Sequence, residues 1–523
     1  MNLRSRRNVS FLIQLALVLL AALHVAITVS YYLSNQFYTQ DIGHIDYLFY
    51  NTYHGRFFWS IVCGCPHFAK HFTPTLVLLV PFHALFRHVL FLTILEDLAV
   101  LSGAWAVAWM VDGFVRGRRA VMAGASQTDL RGLSPLGLAA GWLYAANPHV
   151  GSILLSHHFE SFAMALSLWA LAALVNRRRL LFWVLMILAL GVKEDMALYW
   201  GTFGAWWMLF GWTRDGLAPT RPARGSSHVI PSRRNSGSSS PTWQKRLRFG
   251  GALVVFCLLW AVLAVSVIRA VAHASGQPPF EYSPRYEWMG KTPGQRVATL
   301  AARPREVLIP LINAAILFLP WVLGLPLLSP ATLLLLIPPI YVMGMSRTTS
   351  QYYLYYYYSY PFIAFLFLAV ARGLARLARW THRSRRLRRP LLNGIVVVLF
   401  LAGCLMLPLP TRTERRHRWI AHPTARQTWI RMALRDLIPP RASVVAQFDL
   451  FCQIPYRHDI YPLSEADLDR AEYWVFDTKG YLGDIGTIRF WAMLDRADRL
   501  VAEGKADVVI KRYGLYIVRR REK

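Results

Sequence analysis

Acidic residues and cysteines are scarce in this chain, and no glycine-rich phosphate loop occurs in it. Asp and Glu total 28 of 523 residues against 58 Lys and Arg, a formal net charge of +30. Such an excess would suit nucleic acid if it covered a soluble face, but the cations are not spread and no recognition motif accompanies them. The five cysteines show no structural zinc spacing. Cys257 and Cys404 lie in apolar runs as small core residues. Cys63, Cys65 and Cys452 fall on one side in the topology below, where an oxidising periplasm would permit a disulfide from one of the CGC pair to Cys452. No repeat of roughly 20–50 residues is present, which argues against solenoids and propellers.

What is abundant is apolar length. The chain is 55% hydrophobic and 14% aromatic, with many runs close to bilayer thickness. Runs at 11–33, 89–111, 133–146, 162–174, 180–192, 196–212, 249–271, 307–323, 327–345, 360–374 and 391–407 predict about eleven spans. The first is too long for a signal peptide and lacks a small-residue cleavage site, so it reads as an anchor. Several runs fall short of the ~20 residues of a perpendicular span, so their ends should continue through polar residues facing protein or a cavity. "GLPLLSP", 324–330, reads either as a tight cytoplasmic turn or as the floor of a re-entrant loop. Arg4, Arg6 and Arg7 precede the first run, Arg116, Arg118 and Arg119 follow the second, and Arg177 to Arg179 follow the fourth. Every second loop is basic, which places the N-terminus inside and the C-terminus outside, with some attraction to anionic lipid.

Four regions follow. Residues 1–212 form an N-terminal membrane module with an outer loop at 34–88, and 213–248, rich in Ser, Arg, Pro and Gly, reads as a disordered basic cytoplasmic linker. Residues 249–407 form a second membrane module. From 408 to 523 the periodicity changes. "ASVVAQFDL", "DIYPL", "YWVFDT" and "DVVIKRYGLYIVRR" read as strands and "TIRFWAMLDRADRLVAEG" as a helix, giving a small extracytoplasmic α/β domain.

Polar clusters gather on the outer side. In "YTQDIGHIDYLFYNTYHG", 38–55, helical spacing sets Asp41 beside His44 and Ile45, and Asp46 beside Tyr50. A solvated interfacial helix with belt aromatics would look the same. "KHFTPTLVLLVPFHALFRH" (70–88), "SHHFESF" (156–162) and "VKEDMAL" (192–198) lie on that side too. Asn51, His54, His71, His158, Glu160, Lys193, Glu194 and Asp195 thereby join Asp41 and Asp46 around one outward-facing site. Glu96 and Asp97 lie inside the second span, where an unpaired charge costs on the order of 3 kcal/mol, so they should face a cavity, pair with a cation, be protonated or reach water at the interface. The tyrosines of "QYYLYYYYSYPF" (351–362) read as interfacial anchors, with a binding wall as the alternative.

These motifs, in order, resemble a bacterial membrane family, domain of unknown function 2079. Asp41, Gly43, Asp46 and Asn51 match its D-x-G-x-x-D-x-x-x-x-N start, followed by His54-Gly55, "HFTP", the H-x-E of His158 and Glu160, and "KED" at 193–195. Tyr47 stands where the family usually has Gln, Phe159 where it has Pro, and its His-Tyr pair near the tenth span has no counterpart in register. The family in turn is similar in architecture to the GT-C glycosyltransferases, which take sugars from polyprenyl phosphates on the outer membrane face.

That resemblance implies an inverting transfer of a polyprenyl-phosphate-linked sugar. Asp41 would be the general base and Asp46 the second choice, with Lys193 neutralising the departing phosphate and the histidines supplying hydrogen bonds. An outward cavity open to the acyl chains should join Asp41, His158 and Lys193. The missing nucleotide loop fits a lipid-linked donor. No cofactor is required by the sequence; a divalent cation stays open because Asp41, His44, His54, His71, His158 and Asp195 are competent ligands, though their spacing specifies no site. A transporter remains a rival, although matched broken helices in two related halves are not found, as does a non-catalytic lipid- or glycan-binding membrane protein. Membrane lipids are expected partners and nucleic acid is not; the sequence is silent on oligomeric state.

Overall fold

A computed structural model describes residues 3–37, 40–122, 132–212, 243–278, 283–354, 356–381, 388–407, 420–480 and 486–521. Of the linker expected at 213–248, residues 213–242 lie outside these, as do 408–419 at the expected start of the C-terminal domain. Apolar chain in lipid must satisfy its backbone within itself, and nearly every apolar run is helical. Helix α1 (Leu3–Leu33) is followed by α2 (Gln40–Tyr53), which carries the first polar motif. A two-residue hairpin, β1 (Trp59–Ser60) and β2 (Cys65–Pro66), then leads to two short helices, α3 (Pro74–Val77) and α4 (Val80–Phe86), each with Pro in its first turn. The long α5 (Val89–Met122) follows.

Next come α6 (Pro135–Ala145), capped by Ser134, and α7 (Pro148–Ser156), capped by Asn147. Then come α8 (Ser161–Val175), α9 (Arg179–Leu190), α10 (Met196–Leu209) and α11 (Trp243–Ala274). Helix α7 was not expected. It occupies much of what read as an outer loop, and it is buried. Helices α12 (Pro293–Ala302) and α13 (Pro304–Phe318) precede a broken stretch containing α14 (Pro330–Leu333), α15 (Ile337–Gly344) and α16 (Thr349–Tyr352). Helices α17 (Tyr360–Thr381) and α18 (Arg388–Met406) close the membrane part.

Among the described residues four helical stretches are long and apolar enough to cross a bilayer: Arg7–Leu33, Val89–Val115, Trp243–Ala274 and Tyr360–Thr381. The shorter ones, such as α8 at 15 residues and α9 at 12, are below the ~20 that a perpendicular crossing needs. The chain is a mostly helical, multi-pass membrane protein. Its core helix is α17, 89% of whose apolar window is buried, whereas α11 buries only 22% and presents Val255, Leu258, Leu259 and Val262 outward. An apolar helix surrounded by protein and one with an open apolar flank are the centre and the lipid rim of one bundle. Close backbone contact holds the centre: a Cβ on Gly141 of α6 would lie 2.3 Å from the Ala104 carbonyl oxygen of α5, and one on Gly373 of α17 would lie 2.2 Å from that of Leu325. The "GLPLLSP" segment is thus packed against α17, where Arg376 donates to the Leu328 carbonyl.

The C-terminal region comprises α19 (Ala425–Leu437), β3 (Val444–Ala446), α20 (Phe448–Phe451), β4 (Ile460–Pro462), β5 (Tyr473–Asp477), α21 (Thr487–Ala502), β6 (Ala506–Arg512) and β7 (Leu515–Arg520). Its five strands lie in the order β4-β3-β5-β7-β6; β3 is parallel to both its neighbours and the other pairings are antiparallel. Tyr513 and Gly514, both at positive φ, make the two-residue turn that joins β6 to β7. One face of this sheet shares a core with Tyr47 of α2 and Ile61 of the outer loop.

Candidate functional site

Helix α2 is the hinge-pin between the two regions. Its residue Gly43 has no side chain because α20 lies against it: a Cβ there would sit 2.7 Å from the Phe451 Cβ. The other face of α2 turns Asp41 and His44 toward the bundle. Asp41 Oδ1 lies 3.9 Å from His158 Nε2, and His158 Nδ1 lies 3.7 Å from Glu160 Oε2. Glu160 pairs with Lys193, closing a line of four groups from three separate loops. Its members differ in access. The Asp41 side chain is 26% exposed, whereas those of His158, Glu160 and Lys193 are at 8% or less.

Around this line, His71 Nδ1 lies 3.0 Å from Glu194 Oε1, while Glu194 Oε2 accepts the Phe72 backbone N–H at 3.0 Å. Tyr360 donates to Asp195 at 2.8 Å. His67, which sequence reasoning missed, bridges the group, with its ring 5.9 Å from His44 and 5.4 Å from His71. Burial, reinforced by the field of His71, holds the His44 imidazole down at about 4. Burial and neighbouring positive groups, Lys193 among them, likewise hold His67 and His158 well below the usual range. These rings are neutral at pH 7 and act as hydrogen-bonding groups rather than cations.

Beneath them lies a carboxylate layer. Glu96 Oε1 accepts from the His158 backbone N–H at 3.0 Å and from Ser161 Oγ at 2.7 Å; Asp97 accepts from Thr28 at 2.5 Å, with His157 Nδ1 3.9 Å away. Both carboxylates are buried and hydrogen-bonded within the protein, Glu96 to the 157–161 turn that it orients and Asp97 to Thr28 of α1. His157 makes that turn in a left-handed conformation at φ 43°.

Three expected residues stand elsewhere. Asp46 is 3% exposed, with one oxygen 2.8 Å from His83 Nε2 and the other accepting from the Tyr456 hydroxyl at 2.7 Å. Both oxygens are thus engaged within the protein, and Asp46 fastens α2 to α4 and to the C-terminal region. Asn51 is fully buried and donates to the Trp59 carbonyl at 3.0 Å, closing the turn after α2. His54 is exposed and packs on Tyr50 and His458.

Two further expectations change. Cys63 bonds to Cys65, not to Cys452, whose thiol is free and whose Sγ sits 3.6 Å from the position of a Gly43 Cβ. An open cavity was expected at Asp41, His158 and Lys193; a space of about 20 Å³ beside this line is lined by Ile42, Ile45, Leu76, Leu79, Glu96 and His157 and by none of those three. A larger cleft of about 590 Å³ lies by the C-terminal sheet. Lys193 is also less of a free cation than expected, because Glu160 occupies it. Among the described residues no three His, Cys, Asp or Glu side chains approach closely enough to hold a metal ion.

The tyrosine run supplies what its lack of register concealed: Tyr357 stacks on His158 with centroids 3.7 Å apart and planes at 12°, and the charge of Arg285 acts on Tyr357. Tyr355 lies outside the described residues. The D-x-G-x-x-D-x-x-x-x-N, HFTP, H-x-E and KED motifs are therefore built into this network or the fastening of α2, whereas His54-Gly55 lies exposed just past α2. No curated protein matches the chain. Residues 30–479 match the family described as a predicted membrane protein, domain of unknown function 2079, and the chain belongs to that family.

Proposed function

We propose that this protein is a GT-C-like glycosyltransferase of the bacterial cytoplasmic membrane, with about eleven crossings, a cytoplasmic N-terminus and an extracytoplasmic C-terminal domain. The observation that carries the reading is the partly exposed carboxylate of Asp41 at the head of the His158, Glu160 and Lys193 line. In a single displacement, the acceptor hydroxyl attacks C1 of the donor sugar, its proton passes to Asp41, and the C1–O bond to the polyprenyl phosphate breaks with inversion. Neutral His158 hydrogen-bonds the reacting groups, and Tyr357 holds its ring in place. Lys193, paired with Glu160, is the cation of this line suited to the departing phosphate.

Orientation has its own support. Arg177 to Arg179 join α8 to α9 at the ends opposite Glu160 and Lys193, which supports reading this basic loop as cytoplasmic and the network as facing outward. Leu76 of the short Pro-started α3, and Leu79 just before α4, border the small apolar space beside Glu96, and displacement of this segment would admit an isoprenoid tail from the bilayer. The test uses purified protein with bacterial lipid extract and polyprenyl-phosphate sugars. Wild type should transfer sugar and Asp41→Asn should do so roughly 100-fold or more slowly, the usual worth of a general base. Equal turnover by both removes Asp41 from the role, and solute uptake into vesicles without a glycosyl product assigns the network to a carrier.

A further inference from the structure

The cleft of about 590 Å³ is within the usual volume of small-ligand sites, and it is not the Asp41 network. It opens beyond Gly55, at the far end of α2 from Asp41, roughly 20 Å away by helical rise. One wall is the outer loop, with Arg56, Trp59 and Gly64; the other is the edge of the C-terminal sheet, with His458, Asp459 and Tyr461, and Arg470 beside it. The loop wall is fixed rather than slack, since Asn51 holds the Trp59 carbonyl and the Cys63–Cys65 disulfide closes the hairpin that contains Gly64.

Its chemistry is specific. Trp59 and Tyr461 are half-buried aromatic surfaces of the kind that accept the flat face of a sugar ring. The Arg470 guanidinium carbon lies 4.2 Å from the Tyr461 centroid, which orients its planar fork, and Arg56 stands opposite at 3.8 Å from Asp459. Arg56 pairs with Asp459, and Arg470 with Asp467 at 2.8 Å; both guanidinium groups stand at the surface, where such pairs exchange easily. Forked guanidinium groups bind carboxylate or phosphate bidentately, while Asp459 can accept from ring hydroxyls. From these walls we infer that the cleft binds an acidic saccharide, a sugar carrying carboxylate or phosphate groups. This site stands apart from the transfer reaction and does not depend on it.

Calorimetric titration of the full-length protein in detergent tests this, with a uronic-acid tetrasaccharide, a neutral glucose tetrasaccharide and inorganic phosphate as probes. The acidic oligosaccharide should bind at least tenfold tighter than the other two. Arg470→Gln and Tyr461→Ala should each weaken it roughly tenfold, the loss expected for one charge-assisted contact, and Arg470→Gln should do so with its melting temperature unchanged because that side chain is 53% exposed. Asp41→Asn should bind it as wild type does, so a failed transfer reaction and a failed cleft are told apart. Absence of binding, equal binding of the neutral sugar or of phosphate, or full affinity in both cleft variants overturns the assignment.

Discussion

Lys193 and Glu160 face each other with almost no solvent contact, and a buried charge left alone is far costlier than the intact pair. Lys193→Met or Glu160→Gln alone should lower stability by about 3–5 kcal/mol, whereas the double variant should lose clearly less than the sum. Denaturation of the four proteins in one detergent reads this directly; additive losses would mean the two groups are not coupled. The histidines give a pH signature. His44, His67 and His158 have folded values below the unfolded one near 6.5, so the unfolded chain binds more protons as pH falls. Stability should be full above about pH 6.5 and drop through the window down to about 4, His44 alone contributing on the order of 3 kcal/mol. A melting temperature flat across that window would contradict neutral, enclosed rings. At this scale the sequence revealed which residue types gather, because Asp41, His158 and Lys193 sit at the same ends of successive apolar runs. It could not assign Asp46, whose partners lie 37 and 410 positions away, nor find His67 inside "CPHFAK", where nothing but three-dimensional proximity marks it.

Among elements, α2 and α20 are the contact on which the placing of Asp41 depends. Gly43→Ala puts a methyl 2.7 Å from the Phe451 Cβ, an overpacking that should cost about 1–3 kcal/mol and raise hydrogen exchange in α20. Unchanged exchange would show that α20 does not press on α2. The glycine stands in the D-x-G motif for this geometric reason, which the motif alone did not disclose. The apolar runs at 11–33, 89–111, 249–271 and 360–374 read correctly as α1, α5, α11 and α17 because length and hydropathy are properties of the chain itself. By contrast, α7 was hidden: its nine residues follow "NP", a stop signal that here also caps a new helix. The stretch 307–345, read as two spans, holds most of the 15-residue α13 and then short helices around its prolines, packed on α17 through Gly373. The C-terminal strands were legible from their alternation, but not their order, which depends on contacts between strands distant in the chain.

Across the whole molecule, the basic loop at 177–179 and the Asp41 network lie at opposite ends of α8 and α9, and the proposed chemistry requires the network to face outward, where lipid-linked sugars meet their acceptors. Exposed His54, just past α2, and exposed Arg178 report on the two sides. In a background without the native cysteines, single cysteines at these two positions can be challenged in intact cells with a membrane-impermeant maleimide. Labelling of the position-54 cysteine in intact cells, and of the position-178 cysteine only after permeabilisation, is the result expected here. The reverse pattern would turn the network toward the cytoplasm and contradict transfer from an outer-leaflet donor.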